Sequence, residues 1–318
     1  MKQNVIMMVG FPASGKGSAT RSLANDGYTV INRDSEGGNL NNLLPKLDHL
    51  LSEGKSVVLD NTNISVEVRK PFIEVCKKHG IPIECWHIDT SIEDAQINAL
   101  HRMWDRYRMI FHTAADIKAH VDANKDPNIF PVSALFAFRK NFEKPTVTEG
   151  FTAIKKIKFE RQPLGSEYRH AAVIFDYDET LRTVVNGAYK YPTRPEEVSL
   201  LPGRAEKLQE LANQGIIILG VSNQSGIAKG HLTAEMAEQC FRATNELLGV
   251  NIDFRYCSHS IPPVTCYCRK PGTGMAVELI RKYYLDPSKV IMVGDMTTDK
   301  TFATRAGFTY IDQADYFK

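Results

Sequence analysis

Gly10-Phe-Pro-Ala-Ser14-Gly15-Lys16-Gly17-Ser18 has the residue types of a loop that cradles phosphate. Glycines let backbone N–H groups turn toward phosphate oxygens, a following helix N-terminus adds partial positive charge, and Lys16 reaches the terminal phosphates. In the pattern GxxxxGK[ST] a hydroxyl follows the lysine directly; here Gly17 stands there and Ser18 comes one residue later. Gly10, Ser14, Gly15, Lys16, Gly17 and Ser18 are therefore the candidate nucleotide-binding residues. Further on, Asn32-Arg33-Asp34 offers a carboxylate able to accept the proton of an attacking hydroxyl. Val57-Val-Leu-Asp60-Asn61-Thr62-Asn63 ends another apolar run in polar groups.

A second set of groups occupies the other half of the chain. Ile174-Phe-Asp176-Tyr-Asp178-Glu179-Thr180 puts two carboxylates two residues apart just past an apolar run, where both can aim at one metal and one phosphate. One would attack as nucleophile while the other protonates the leaving oxygen. Ser222-Asn223-Gln224 can hydrogen-bond phosphate, Arg269-Lys270-Pro271 supplies a cation for developing charge, and Val293-Gly294-Asp295 with Asp299 supplies Mg²⁺ carboxylates. Cys257, His259, Cys266 and Cys268 give three thiolates and an imidazole within twelve residues. That is a complete tetrahedral zinc set with no open position, which argues for a structural Zn²⁺.

The elements that must position these groups alternate between strand-like apolar runs and helical patterns, the signature of parallel sheets covered by helices. Asn4–Val9, Tyr28–Asn32, Ser56–Asp60, Ile83–Asp89 and Phe151–Ile157 read as strands of the first half. Lys16–Leu23 opens a helix that Gly27 can stop, and Val66–His79 is a helix closed by Gly80. Ala171–Phe175, Ile216–Val221, Phe254–Cys257 and Val290–Val293 are the strands of the second half. Between Asp105 and Phe130, Thr113-Ala-Ala-Asp116 can cap a short extra helix. The polar stretch Glu160–His170 is the natural linker. The expected architecture is α/β in two domains, each a mostly parallel sheet with helices on both faces: 1–162 with the glycine loop and 168–318 with the zinc-binding loop 257–268.

Length and composition agree with that division. At about 150 residues per domain, 318 residues give two. The net charge is +2, and the halves are balanced, with 21 basic and 19 acidic residues to position 160 and 18 of each beyond it. Neither half is a basic nucleic-acid module by bulk charge, so any such contact must be local. No apolar run reaches the ~18 residues of a spanning helix, and the start lacks a signal-peptide pattern. Cys76, Cys85 and Cys240 sit singly in apolar patterns as small buried hydrophobes. Membrane, secreted, fibrous and disordered classes are excluded, and the expected compartment is the reducing cytoplasm, or a host's cytoplasm for a viral chain.

In their order, GFPASGKG, INRD, VVLDNTN and FPVSALFAFRKNFEKPTVTEGF resemble the kinase domain of the polynucleotide kinase–phosphatases, from about Asn4 to Ile157. The resemblance implies Lys16 as the P-loop lysine and Asp34 as general base for a 5′-hydroxyl. It also implies a lid arginine, for which Arg102 in NALHRMW is the match, with Arg106 close by. From Ala171 to Phe317 the chain resembles the haloacid-dehalogenase superfamily of phosphatases. There the implied roles are Asp176 nucleophile, Asp178 general acid, Ser222, Asn223 and Lys270 phosphate ligands, and Asp176, Asp178 and Asp295 around Mg²⁺. The superfamily pattern is DxDGT, and Glu179 replaces its glycine. The zinc loop resembles that of histidinol- and heptose-bisphosphate phosphatases.

The expected function is a bifunctional end-healing enzyme, an ATP-dependent 5′-hydroxyl polynucleotide kinase and 3′-phosphatase using Mg²⁺, acting on DNA or RNA ends and handing them to a ligase. Two alternatives stand beside it: a metabolite kinase fused to a sugar-phosphate or histidinol-phosphate phosphatase, and a repair scaffold in which one site is degenerate.

Overall fold

A computed structural model describes residues 3–260 and 262–318. The chain divides into two compact units, Met1–Arg102 with Ala119–Gln162, and Met103–Lys118 with Pro163–Lys318. The Asp105–Phe130 stretch is thus divided, with residues up to Lys118 falling in the second unit. Within it, Thr113 and Asp116 exchange two hydrogen bonds (Thr113 N to Asp116 Oδ2, 2.8 Å; Asp116 N to Thr113 Oγ1, 3.2 Å), and the helix Ala114–Ala119 follows as the capping signal predicts.

The first unit is built on strands β1 (Val5–Val9), β2 (Thr29–Ile31), β3 (Val57–Asp60), β4 (Ile83–Asp89) and β5 (Ala153–Lys158). They form one sheet in the order β2-β3-β1-β4-β5, and each neighbouring pair is parallel. β1 is buried throughout, the mark of a central parallel strand covered on both faces. At the edge, β5 exposes Lys155, Lys156 and Lys158, and charge on an edge strand discourages pairing with another chain. The helix Leu43–Ser52 buries Leu43, Leu47 and Leu51, one face at four-residue spacing, against the core that holds Val5, Val57 and Phe72.

The second unit carries β6 (His170–Phe175), the antiparallel pair β7 (Arg182–Val184) and β8 (Val198–Leu200), then β9 (Ile217–Asn223), β10 (Asp253–Cys257), β11 (Leu285–Gly294) and β12 (Thr309–Asp312). Its main sheet runs β10-β9-β6-β11-β12 and is parallel at every pairing. The helix Ala234–Leu248 starts at Thr233, whose hydroxyl accepts from Met236 N at 3.1 Å, buries Ala237, Cys240, Phe241, Thr244 and Leu248, and stops at Gly249 with φ 67°.

Both sheets reverse their strand order beside one strand. In the first the chain leaves β1 toward β2 and β3, then returns to its other side as β4. In the second it leaves β6 toward β9 and β10 and returns as β11. A crevice opens at the carboxyl end of such a strand, so Gly10 after β1 and Asp176 after β6 both stand where doubly wound sheets hold ligands.

Candidate active sites

In the first unit the loop after β1 turns through Gly10 (φ 151°), Ala13 (φ 58°) and Gly15 (φ 93°) before the helix Lys16–Asn25 begins. A Cβ on Gly10 would lie 3.0 Å from the carbonyl oxygen of Ile88, and one on Gly15 would lie 3.1 Å from the ring of Phe159. Both glycines are therefore required by backbone angle and by space. Gly15 is the N-cap and brings no side chain to the helix terminus, which leaves the first N–H groups for a ligand. Gly17 is different, because a Cβ there meets only Arg21 Nη1 at 3.7 Å.

Lys16 is buried, and its ammonium donates to Gly10 O (3.0 Å), Phe11 O (2.6 Å) and Ser14 Oγ (3.3 Å). Burial lowers its pKa to about 8, with Asp60 and Asp34 pulling it back up and Arg102 adding to the depression. These groups share a cavity of about 350 Å³ lined by Ser14, Lys16, Asp34, Asp60, Arg102 and Asn128 among others. Asp34 is held in the short helix Arg33–Glu36, which Asn32 caps by accepting from Asp34 N at 2.7 Å. Its carboxylate pairs with Arg33 at 2.8 Å. Arg102, on the helix Ile92–Tyr107, donates to Asn128 Oδ1 at 3.2 Å. Gly15 and Gly17 line the cavity, whereas Ser18 is exposed and accepts from Arg21 at 3.1 Å.

A support missed in the sequence stands beneath this site. Arg69, fully buried, binds Glu149 through two hydrogen bonds (2.7 and 2.9 Å) and also donates to Asn63 O and Glu143 O. Asn63, at φ 45°, donates in turn to Met8 O at 2.7 Å and fixes the loop after β3 against β1. Arg69 and Glu149 lie eighty residues apart, so no local pattern marks the pair.

In the second unit Asp176 accepts from Lys270 Nζ at 2.6 Å, and the same ammonium lies 2.7 Å from Asp299 Oδ1 and donates to Val221 O at 3.0 Å. Burial pushes the Asp176 carboxyl up to about 7, with Lys270 opposing and Asp299 and Asp178 adding to the rise. The Asp295 carboxyl is raised by burial and by Asp299. Asp299 comes under the strand end because Gly294 lacks a side chain: a Cβ there would lie 2.6 Å from Asp299 Cβ. Carboxylate oxygens of Asp176, Asp295 and Asp299 all lie within 4.8 Å of one another. Such a hard, oxygen-rich set suits Mg²⁺. Asp178 stands outside that trio; it accepts from Arg182 Nε (2.8 Å) and Gln224 Nε2 (2.7 Å). Arg182 is itself buried, its guanidinium packed over the rings of Tyr177 and Phe241 at 5.3 and 4.7 Å.

Two of the candidate phosphate ligands are engaged by the protein. Ser222, fully buried, accepts from Gln224 at 2.8 Å. Asn223 donates to Lys270 O at 3.0 Å and accepts from Lys270 N at 2.9 Å. Glu179 adopts φ 59°, a left-handed conformation that a glycine takes without strain, and accepts from Thr183 Oγ1 at 3.0 Å.

Cys257 at the end of β10, His259, Cys266 and Cys268 bring their donor atoms within 4.8 Å of one another. Cys257 Sγ lies 3.7 Å from Cys266 Sγ and 3.4 Å from His259 Nδ1, and Cys268 Sγ lies 3.3 Å from the same nitrogen. A tetrahedral zinc with Zn–S near 2.3 Å separates its sulfurs by about 3.8 Å, so these side chains fit the ion. Crowding sets the thiols against each other: hydrogen bonds from Cys257 and Cys268 hold Cys266 far below the usual thiol range, while Cys268 is pushed far above it.

Comparison with known proteins follows the same division. An AAA domain model matches residues 5–123, and a model described as polynucleotide kinase 3 phosphatase matches residues 171–317. A bifunctional polynucleotide phosphatase/kinase of Schizosaccharomyces pombe is 32% identical over 159 residues, covering 50% of this chain and 34% of that protein. The chain thus spans about a third of the length of that relative. A D-glycero-beta-D-manno-heptose-1,7-bisphosphate 7-phosphatase of Haemophilus ducreyi is 32% identical over 146 residues, covering 43% of this chain and 78% of that one. Among solved structures, a chain of a Pnkp1/Rnl/Hen1 complex aligns over 98% of this chain and 96% of its own length at 16% identity, with a TM-score of 0.33.

Proposed function

On the premise that the chain belongs, through its second domain, to the polynucleotide kinase 3 phosphatase family and carries an AAA-type P-loop domain ahead of it, we propose that it heals nucleic-acid ends, phosphorylating a 5′-hydroxyl and removing a 3′-phosphate. The observation that carries the reading is one chain holding both constellations, Lys16 with Asp34 and Arg102 in one unit and Asp176 with Lys270 in the other. We assign the kinase to residues 1–162 and the phosphatase to residues 168–318.

In the kinase, ATP is the phosphate donor. Gly10, Gly15 and the helix N-terminus behind them receive its phosphates, Lys16 neutralises charge on the terminal phosphoryl group, and Arg102 faces the same cavity from the lid helix. Asp34 accepts the proton of the attacking hydroxyl, and its Asn32 cap fixes the backbone that presents it.

In the phosphatase, Asp176 attacks phosphorus as its ester bond to the nucleoside oxygen breaks, and Asp178 gives that oxygen a proton. Water then attacks the aspartyl phosphate, with Asp178 taking a proton back. Asp176, Asp295 and Asp299 would hold Mg²⁺, which would supply charge neutralisation for the transferring phosphoryl group. Lys270 bridges Asp176 and Asp299 and keeps the nucleophile oriented. We assign the Cys257, His259, Cys266 and Cys268 cluster to a structural Zn²⁺, which ties β10 to the segment carrying Lys270. A ligase is the natural recipient of the healed ends, and a cytoplasmic setting suits the reduced thiols.

A second reading, a sugar-bisphosphate phosphatase joined to a metabolite kinase, is favoured by the heptose-bisphosphate phosphatase likeness of the second domain. The decisive assay gives the protein, Mg²⁺ and ATP to oligonucleotides bearing 5′-hydroxyl or 3′-phosphate ends, with a heptose bisphosphate alongside. Transfer to the 5′-hydroxyl lost only in Asp34→Ala, and phosphate release lost only in Asp176→Ala, support end healing. Inert oligonucleotides beside an active sugar phosphate promote the second reading.

A further inference from the structure

The loop joining β7 to β8 carries two rings, Tyr189 and Tyr191, that lie parallel to that of His231 and that the chemistry above does not use. Tyr191 Oη and His231 Nδ1 are 2.5 Å apart, and their rings lie edge to edge, 11° from coplanar with centroids 6.3 Å apart. Tyr189 lies flat over this pair, 4.2 Å from the His231 centroid at 11° and 5.6 Å from Tyr191 at 9°. The lower layer is built in: a Cβ on Gly226 would come 2.7 Å from the Tyr191 ring and 2.8 Å from Leu232, so Tyr191 rests on backbone. The upper layer is open, with Tyr189 40% exposed. A single exposed tyrosine is ordinary, but a planar ring supported from beneath and presented to solvent is a stacking surface.

Its position gives it a ligand. Tyr189 and Lys190 line a cavity of about 450 Å³ together with Glu179, Thr183 and Asn186. Glu179 directly follows Asp178, the residue placed on the leaving oxygen, so whatever carries that oxygen extends to this side of the site. For a 3′-phosphorylated strand that group is the terminal nucleoside, with a flat base to stack and a phosphodiester behind it to meet a cation.

We propose that Tyr189, supported by the Tyr191–His231 pair, stacks on the base of the 3′-terminal nucleotide, and that Lys190 meets the phosphodiester behind it. The inference rests on the end-healing reading and adds to it a subsite for the leaving nucleoside. Because stacking binds ground state and transition state alike, its loss appears in KM more than in kcat.

The test uses the full chain on a short 3′-phosphorylated oligonucleotide and on the same strand whose last nucleotide is abasic. Tyr189→Ala should raise KM on the base-bearing strand roughly 5- to 100-fold, the range of one lost base–aromatic stack, with kcat within about twofold. It should leave the abasic strand unchanged, and Tyr189→Phe, which keeps the ring, should match wild type on both. Phosphatase kcat of the same preparations on the abasic strand, which offers Tyr189 no base, confirms that the second domain of each variant is folded. Tyr189→Ala within about twofold of wild type on both strands, or impaired equally on both, overturns the stacking role. Wild-type protein that releases no phosphate from either strand while hydrolysing a heptose bisphosphate overturns the end-healing reading, and the subsite with it.

Discussion

Asn223 holds the backbone of Lys270 at both of its polar atoms, donating to its carbonyl oxygen at 3.0 Å and accepting from its N–H at 2.9 Å. The two residues lie 47 positions apart, so this amide joins β9 to the segment that delivers the ammonium to Asp176. We propose that its effect on catalysis runs through Lys270. Asn223→Ala should destabilise the second domain by about 1–3 kcal/mol, the usual cost of leaving buried backbone groups unpaired. It should lower phosphatase kcat at least tenfold while 5′-kinase activity in the same preparation stays at wild type. A rise confined to phosphatase KM would return Asn223 to the phosphate itself.

Glu179 carries backbone strain that a glycine would not. Its φ of 59° costs an L-residue roughly 1 kcal/mol, offset in part by the Thr183 hydroxyl at 3.0 Å. Glu179→Gly should therefore raise stability by about 0.5–1 kcal/mol, read as a higher urea midpoint at unchanged slope. A lower midpoint would mean that the carboxylate contributes more to the turn than its conformation costs.

Why some of this was legible and some was not follows from range. Lys16, Asp34, Asp176 and Asp295 follow apolar runs, and a buried parallel strand announces itself within five residues, as β1 and β3 do. The Thr113 to Asp116 cap is legible for the same reason, being closed within one turn. The partners of those residues are set by crossovers. Asn223 has the chemistry of a phosphate ligand, and only the pairing of β9 with β6 and β10 reveals that Lys270 occupies it. Asp178 carries no sign in sequence that Arg182 and Gln224 meet it from two directions. The short β7 and β8 and the edge strand β12 escape notice because their runs, RTV, VSL and TYID, mix polar and apolar residues and are not the continuous apolar runs of a buried strand.

Metal removal should separate the two activities. Cys268 directly precedes Arg269 and Lys270, so loss of an ion from the Cys257, His259, Cys266 and Cys268 set frees the segment that aims the lysine. Protein purified without chelator should carry one zinc per chain by elemental analysis. Stripping it and restoring Mg²⁺ should reduce phosphatase activity at least tenfold and kinase activity by less than twofold, with Cys266→Ser behaving the same way. Equal loss of both activities, or protein without zinc, would remove the ion from this account.

Lys16 predicts a pH dependence for nucleotide binding. Its pKa in the free protein is lowered to about 8 by burial, with Asp60 and Asp34 opposing and Arg102 assisting. A bound triphosphate favours the ammonium and so raises that pKa. Binding then takes up a proton above pH 8 and none well below it. ATP affinity should be flat from pH 6 to 7.5 and should weaken as pH climbs through 8, approaching tenfold per unit until the bound-state pKa is reached. The sign for the unliganded fold is opposite: a depressed lysine destabilises the native state below pH 8, and that penalty fades between 8 and the unfolded value of 10.5. Calorimetric titration with ATP across pH 6–10 reads the first effect. Lys16→Met, which has no proton to lose, should bind weakly and without this slope. An unchanged slope in Lys16→Met would assign the titration to another group.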